Sequence, residues 1–280
     1  MRRIEWESIV KEVEKLCIHM NIYVEEDLKE LMEKALLEED SPLGKTVLKD
    51  LLENQEVARR EMLPICQDTG MVVAFVEVGQ DLQIANGSLT EAINEGVRRG
   101  YEKGYLRRSV VACPLQRKNT GDNTPAIIYY DLVEGDQLKI TLAAKGFGSE
   151  NMSGVKMLKP IDGAEGVKNF VLETIQKAGG NCCPPIIVGV GIGGTFDKAT
   201  QIAKKALLRK VGKRNDDGGI ASLEEALLKE INNLGIGPQG FGGKTTALAV
   251  HVETFPTHIA GLPVAVNINC HASRHGEIIL

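Results

Sequence analysis

The chain has 280 residues and a formal net charge of -5, with a pI near 5.7. Its basic residues are scattered among acids rather than gathered in a block, which argues against nucleic acid as a partner. Aromatic residues make up 4% while glycine reaches 30 positions, so close-packed backbone and tight turns must replace part of an aromatic core. Six cysteines are too sparse for a disulfide scaffold and read as thiols or metal ligands of a reducing compartment. With neither a leader-like apolar run nor a bilayer-length one, the expectation is a cytoplasmic protein that does not use a membrane.

Through residues 1–60 apolar positions recur at helical spacing, in Ile9, Val13 and Leu16, then Leu28, Leu31 and Leu36, then Val47, Leu51 and Leu52. This predicts an N-terminal helical layer with charged outer faces. Cys17 falls in that apolar pattern and reads as a small buried hydrophobe. Pro64-Ile65-Cys66-Gln67-Asp68-Thr69-Gly70 then sets a thiol, an amide, a carboxylate and a hydroxyl side by side before the apolar run 71–76. That order predicts a reactive loop held against a strand.

Ser88-Leu89-Thr90-Glu91 has the form of a capping box and opens a helix toward Tyr101, weakened by Gly96 and Gly100. Beyond Leu106-Arg107-Arg108-Ser109, residues 110–114 are strand-like and 119–125 are a dense turn signal. Residues 126–133 and 138–144 predict a hairpin around Glu134-Gly135-Asp136. Lys145-Gly146-Phe147-Gly148-Ser149 is a loop that either offers backbone amides to an anion or simply turns. A helix over 164–178 leads to Asn181-Cys182-Cys183-Pro184-Pro185. A short buried strand over 186–188, a helix over 195–211 and a second capping box at Ser222-Leu223-Glu224-Glu225 follow. Strands over 245–253 and 263–269 close the pattern, the last delivering Cys270. The sum is an α+β (mixed α/β) fold over 1–280 as one catalytic domain. In it the helical layer is followed by short, mixed or antiparallel sheets covered by helices.

Gly189-Val190-Gly191-Ile192-Gly193-Gly194 satisfies a dinucleotide fingerprint between a strand and a helix. No second strand with a ribose-binding acid follows, and Lys213-Arg214-Asn215-Asp216-Asp217 stands there instead. An NAD-binding oxidoreductase is therefore the alternative of another class. Gly240-Phe241-Gly242-Gly243-Lys244-Thr245 fails as a phosphate loop, because Pro238 occupies the first glycine position and a strand pattern follows. The thiols carry more. There is no C-x-x-C, but Cys66, Cys183 and Cys270 each sit at an element's end beside Gly, Pro or polar residues. Such a set suits three irons of a cubane cluster with the fourth left open, and unconnected structural cysteines are the competing reading.

Ile65-Cys66-Gln67-Asp68-Thr69-Gly70, Leu106-Arg107 with Ser109, Asn119-Thr120-Gly121-Asp122-Asn123-Thr124-Pro125-Ala126 and Lys145-Gly146-Phe147-Gly148-Ser149 occur in one order. Cys183-Pro184-Pro185 with the 189–194 glycines, Gly242-Gly243-Lys244 and Asn269-Cys270 complete it. Together they resemble the class I, iron-sulfur-dependent fumarate hydratase and tartrate dehydratase family, in its alpha subunit, from about Leu63 onward. The resemblance implies a [4Fe-4S] cluster held by Cys66, Cys183 and Cys270, with Cys182 adjacent to a ligand position. It implies that Gln67, Asp68 and Arg107 bind substrate carboxylates and assist proton transfer. Gly146 and Gly148 belong to the substrate loop, where Phe147 replaces a glycine of some members. Asp68 and His258 are the implied catalytic residues. The implied reaction is reversible hydration of fumarate to L-malate with an open iron as Lewis acid, or else L-tartrate dehydration. A beta subunit would carry the remaining active-site residues of a plausible, oxygen-sensitive α2β2 assembly acting on a small dicarboxylate.

Overall fold

A computed structural model describes residues 1–280. In chain order the elements are β1 Arg2–Glu5, α1 Trp6–Ile22, α2 Glu26–Glu38, α3 Pro42–Glu61, β2 Met71–Gly79, β3 Leu82–Ala85 and α4 Leu89–Lys103. Then come β4 Ile127–Val133, β5 Leu138–Lys145, α5 Phe147–Glu150, β6 Gly154–Leu158, α6 Gly163–Ala178, β7 Ile186–Gly193 and α7 Phe196–Ala206. The chain closes with α8 Gly218–Asn233, β8 Ala247–Phe255, β9 Leu262–Asn269 and β10 His275–Ile279. This is a mixed α+β protein, and no helix is long and apolar enough to cross a membrane. The chain divides into two compact units: unit 1 takes Met1–Val24, Gln55–Phe147 and Arg274–Leu280, and unit 2 takes Glu25–Asn54 and Gly148–Ser273.

Unit 1 is built on a four-stranded sheet in the order β10-β5-β2-β4, with β1 and β3 forming a separate parallel pair. The apolar run of β2 puts it inside the sheet, antiparallel to β5 and parallel to β4. Ile9, Val13 and Met20 of α1 and Ile93 and Val97 of α4 join Val72, Ala74, Ile140 and Leu142 in one core. Gly96 and Gly100 cost α4 propensity but let it lie directly on α1. A Cβ on Gly96 would stand 2.5 Å from the Val13 Cβ, and one on Gly100 would stand 2.7 Å from the Cys17 Cβ. Cys17 is a core residue, as its place in the apolar pattern suggests, and burial pushes its thiol up to about 12.

The expected hairpin of 126–133 and 138–144 does not form. Both strands exist, but β2 lies between them, because the most apolar strand gains most from neighbours on both edges. The connection passes over the end of β2 at Gly79, where a Cβ would stand 2.5 Å from the Gly135 carbonyl. Residues 110–114 are not a strand either, and only a Val111–Asn119 bridge marks them.

Unit 2 carries a second four-stranded sheet, in the order β6-β9-β7-β8. Val171 and Ile175 of α6, Leu227 and Ile231 of α8, and Ile186, Val188 and Val190 of β7 form its core. The dinucleotide-like glycines lie within β7, not in a phosphate-binding loop. A Cβ on Gly189 or on Gly191 would stand 2.1 Å from the Ala203 or Ala199 carbonyl, so these glycines let α7 lie against the strand. Ser222 does not cap a helix, since α8 starts four residues earlier. There the Asp217 side chain accepts from the Gly219 and Ile220 N–H groups. Glu224 is instead a buried acid, receiving the Arg209 guanidinium and the N–H groups of Asn215 and Val252.

The two sheets share one pairing plan although no sequence repeat announces it. In each, an inner strand (β2 or β7) runs parallel to one neighbour and antiparallel to the other, and the antiparallel neighbour is itself paired antiparallel to the opposite edge strand. An antiparallel neighbour brings its own C-terminal end to the start of the inner strand. In each unit that corner is where the chemistry-bearing loops lie.

Candidate active site

In unit 1 the corner is the start of β2 and the end of β5, where Met71 pairs with Lys145. It holds Cys66, half-exposed, then Gln67, exposed, and Asp68, half-exposed. The carbonyls that follow are gripped by buried side chains. The Tyr101 hydroxyl donates to the Thr69 carbonyl at 2.6 Å, and the Asn123 amide donates to the Gly70 carbonyl at 3.2 Å. Burial raises the Tyr101 phenol well above its ordinary value, so it keeps the proton this bond requires. The Asn123 Oδ1 accepts from the Ser109 N–H at 2.7 Å, and the Thr69 hydroxyl donates to the Arg107 carbonyl at 3.2 Å. Arg107 is thus tied by its backbone to the Cys66 loop while its guanidinium stands exposed.

Asp68 is held from both sides. Its Oδ1 accepts from the Gly70 N–H at 3.0 Å and its Oδ2 from the Phe147 N–H at 2.8 Å. The backbone amide of the glycine-rich loop therefore does serve a carboxylate, and that carboxylate is the protein's own. Gly146 faces the same group: a Cβ there would stand 3.3 Å from the Asp68 Oδ2. The buried Lys145 donates from Nζ to the Gly146 carbonyl at 3.2 Å.

In unit 2 the corner is the start of β7 and the end of β9, where Ile187 pairs with Asn269. This register brings Cys183 and Cys270 together, and the His271 N–H donates to the Cys183 carbonyl at 3.3 Å. Both thiols are half-exposed. Cys183 adopts a left-handed backbone with φ 54° and ψ 66°, a conformation that L residues take up at a cost and that clusters at working sites. Cys182 points the other way. It is fully buried, its Sγ donates to the Gly179 carbonyl at 3.2 Å, and burial, added to by the neighbouring Cys183 and Cys270 thiols, pushes it up to about 12. Gly148 lies beside Asn181, whose carbonyl would stand 3.8 Å from a Cβ at that glycine.

His258 is not brought to this corner. It lies exposed in the turn before β9, with its Nδ1 accepting from the Ala260 N–H at 3.2 Å. Cys270 follows the other end of that eight-residue strand, so the two are separated by roughly 25 Å of extended chain. Within either unit, no group of three His, Cys, Asp or Glu side chains takes up a metal-holding arrangement. The donor chemistry nevertheless fits an iron-sulfur cluster: Cys66, Cys183 and Cys270 are half-exposed loop thiols, as is Cys113, while Cys182 and Cys17 are withdrawn into cores.

A family profile described as "Fumarate hydratase (Fumerase)" matches residues 10–279. The chain belongs to the fumarate hydratase family. It is 48% identical over 259 residues to a Methanocaldococcus jannaschii protein named "Putative L(+)-tartrate dehydratase subunit alpha", covering 90% of each chain. It is 34% identical over 245 residues to the L(+)-tartrate dehydratase subunit alpha of Escherichia coli O157:H7, covering 86% of this chain and 80% of that one. Family and names together support a hydro-lyase alpha subunit.

Within this fumarate hydratase family fold the Gly242-Gly243-Lys244 motif has a structural occupant. The N–H groups of Lys244 and Thr245, with those of Asp40 and Ser41, all donate to the Glu39 carboxylate at 2.9 to 3.1 Å. Gly243 has φ +128°, and a Cβ there would meet Glu39 Oε1 at 2.6 Å. Glu39 is fully buried. Burial by itself would raise its carboxyl, but the four N–H groups outweigh that and hold it below the ordinary 4.5. A depressed folded-state value contributes stability that is complete above the unfolded value and disappears as pH falls through the folded one. Thermal melts should accordingly show Glu39→Ala less stable by about 2–4 kcal/mol at neutral pH, with four backbone donors losing their partner. The gap to the parent should narrow below about pH 4. A gap that stays constant down to acid unfolding would contradict this account.

Glu39 and Tyr101 escaped sequence reading as site residues. Glu39 is one of many acids in a charged helical stretch, and only its burial sets it apart. Asn123 lies within the 119–126 motif, so a signal for it existed, but its grip on the Gly70 carbonyl depends on packing across 53 positions.

Proposed function

We propose that this chain is the alpha subunit of a two-subunit [4Fe-4S] hydro-lyase that reversibly hydrates fumarate to L-malate. The observation that carries the reading is the meeting of Cys183 and Cys270 at the start of β7 while Cys182 is turned into the core. Cys66, Cys183 and Cys270 would hold the cluster, which when bound supplies an open iron as Lewis acid for the substrate hydroxyl. All 280 residues act as the cluster-bearing catalytic part.

The chain's own residues supply binding and orientation. The exposed Arg107 fork suits a substrate carboxylate, bonding both oxygens, and its backbone tie to Thr69 keeps it beside Gln67. Gln67 and the Gly146 and Gly148 backbones offer neutral hydrogen bonds to the second carboxylate. With both oxygens engaged by N–H groups, the Asp68 carboxylate keeps one orientation, and the remaining lone pair on each oxygen is open to a proton in relay. The base that takes the carbon-bound proton comes from a beta subunit, in an α2β2 assembly. His258, at the far end of β9 from Cys270, serves a neighbouring protomer's site.

L-tartrate is the second substrate reading, favoured by the names of both relatives described above. It is the same dehydration with one more hydroxyl, and its enol product becomes a keto acid. Anaerobic reconstitution with iron and sulfide, with and without the beta partner, followed by assays on malate and tartrate, separates these readings. The expected result is turnover only by the assembled complex, lost on exposure to air. Ordinary turnover by the chain alone would end the two-subunit reading. Equal inactivity on both acids by a cluster-bearing complex would end the hydro-lyase reading.

A further inference from the structure

Arg274 opens the C-terminal segment of unit 1 and is 3% exposed. Its backbone is fixed by the Ala144 N–H, which donates to the Arg274 carbonyl at 3.0 Å at the end of β5. Its Nη1 donates to the Asp68 carbonyl at 2.5 Å and to the Asn21 Oδ1 at 3.2 Å. Its Nε is buried and has no hydrogen-bond partner. Its Nη2 faces Gly146, 3.2 Å from where a Cβ would stand, with the Asp68 Oδ2 3.3 Å from that same point. Arg274 forms no ion pair with Asp68 or with any other carboxylate.

A guanidinium taken out of water without a counter-anion is costly, and such groups are normally matched by an acid or bind an anion. Here the buried charge stands next to the Gly146 turn, and the buried Lys145 ammonium is bonded to that turn's carbonyl. Asp68 is the acid in this corner, and its two oxygens accept from the Gly70 and Phe147 N–H groups rather than from Arg274. The Arg274 guanidinium is therefore left without an ion-pairing acid.

We propose that Arg274 is a positioning residue of this site, holding the Asp68 peptide against the Gly146 turn, and that a substrate carboxylate supplies the negative charge its buried guanidinium lacks. The proposal rests on the reading of Gln67, Asp68 and Gly146 as substrate-binding. It adds a cation four positions beyond Cys270 that no motif in the sequence marks.

The test uses the assembled, anaerobically reconstituted complex and two readouts. One is KM against kcat for the preferred hydroxy acid; the other is the rise in melting temperature caused by succinate, a four-carbon dicarboxylate without the hydroxyl. Arg274→Gln keeps a polar side chain and removes the charge. It should raise KM at least about tenfold, with a smaller change in kcat, and lose most of the succinate-induced shift. Arg274→Lys should recover part of both. Asn21→Asp places an acid 3.2 Å from Nη1 and should weaken the succinate response with Arg274 still present, which keeps the test open if Arg274→Gln fails to fold. An Arg274→Gln complex with parental KM and succinate shift, or an Asn21→Asp complex with the parental succinate shift, overturns the proposal. A parent complex without hydro-lyase turnover would instead overturn the reaction assigned above.

Discussion

Serine at Cys183 or at Cys270 is expected to remove bound iron and turnover together, lowering activity by about a thousandfold or more, since a hydroxyl is a poor substitute for a thiolate toward iron. Cys66→Ser should behave in the same way. Cys182→Ala is the informative contrast. Its side chain is fully buried and its thiol is pushed up to about 12, so it reads as packing, and its removal should cost about 1–2 kcal/mol of stability while iron content is kept. Iron and sulfide analysis, visible absorbance and a hydration assay on the same reconstituted samples decide the matter. Parental iron content in Cys183→Ser or Cys270→Ser, or iron loss in Cys182→Ala without unfolding, would reject this division of the two adjacent cysteines.

Gly70→Ala should destabilise unit 1 strongly, because strain and a backbone clash act together at that position. Gly70 has φ +76°, and a Cβ there would stand 2.8 Å from the Ala144 carbonyl carbon and 2.9 Å from the Lys145 backbone. The left-handed conformation alone costs an L residue about 1–2 kcal/mol, and the clash with backbone that cannot step aside adds about 1–3 kcal/mol. The loss should appear both as a lower melting temperature and as lower activity, because the Gly70 N–H and carbonyl hold Asp68 and Asn123. Gly121 is the control: its φ is +85°, but no atom lies within 4 Å of its Cβ position. Gly121→Ala should show the conformational cost without the clash. If the two substitutions cost the same, close approach to β5 is not what requires glycine at position 70.

Much of the candidate site was legible because its chemistry is local. A thiol, an amide and an acid in consecutive positions before a strand, and thiols beside prolines or at a strand's end, declare themselves through residue type and neighbours. Helix and strand existence was legible for the same reason, since apolar periodicity records which face is buried. Pairing was not. Residues 126–133 and 138–144 look like a hairpin because they are adjacent, yet β2 enters from fifty positions earlier and separates them. The capping-box pattern at Ser222 was likewise overridden, because the helix already starts at Gly218, where the Asp217 side chain accepts from the Gly219 and Ile220 N–H groups. The glycines of β7 matched a dinucleotide fingerprint without its second strand, and they prove to be the contact surface for α7.

By itself, then, the sequence determined most element types and singled out Cys66, Cys183 and Cys270, with Asp68 two positions from the first of them, because propensity and reactivity belong to residues and their immediate neighbours. Tertiary structure alone decided which of those groups meet. Antiparallel pairing of β9 with β7 brings Cys270 to Cys183, and pairing of β5 with β2 brings Gly146 to Asp68. Burial alone separated Cys182 from its neighbour and set Glu39 and Arg274 apart from other charged residues. Strand order and desolvation arise from contacts between distant parts of the chain, and no short stretch of sequence contains them.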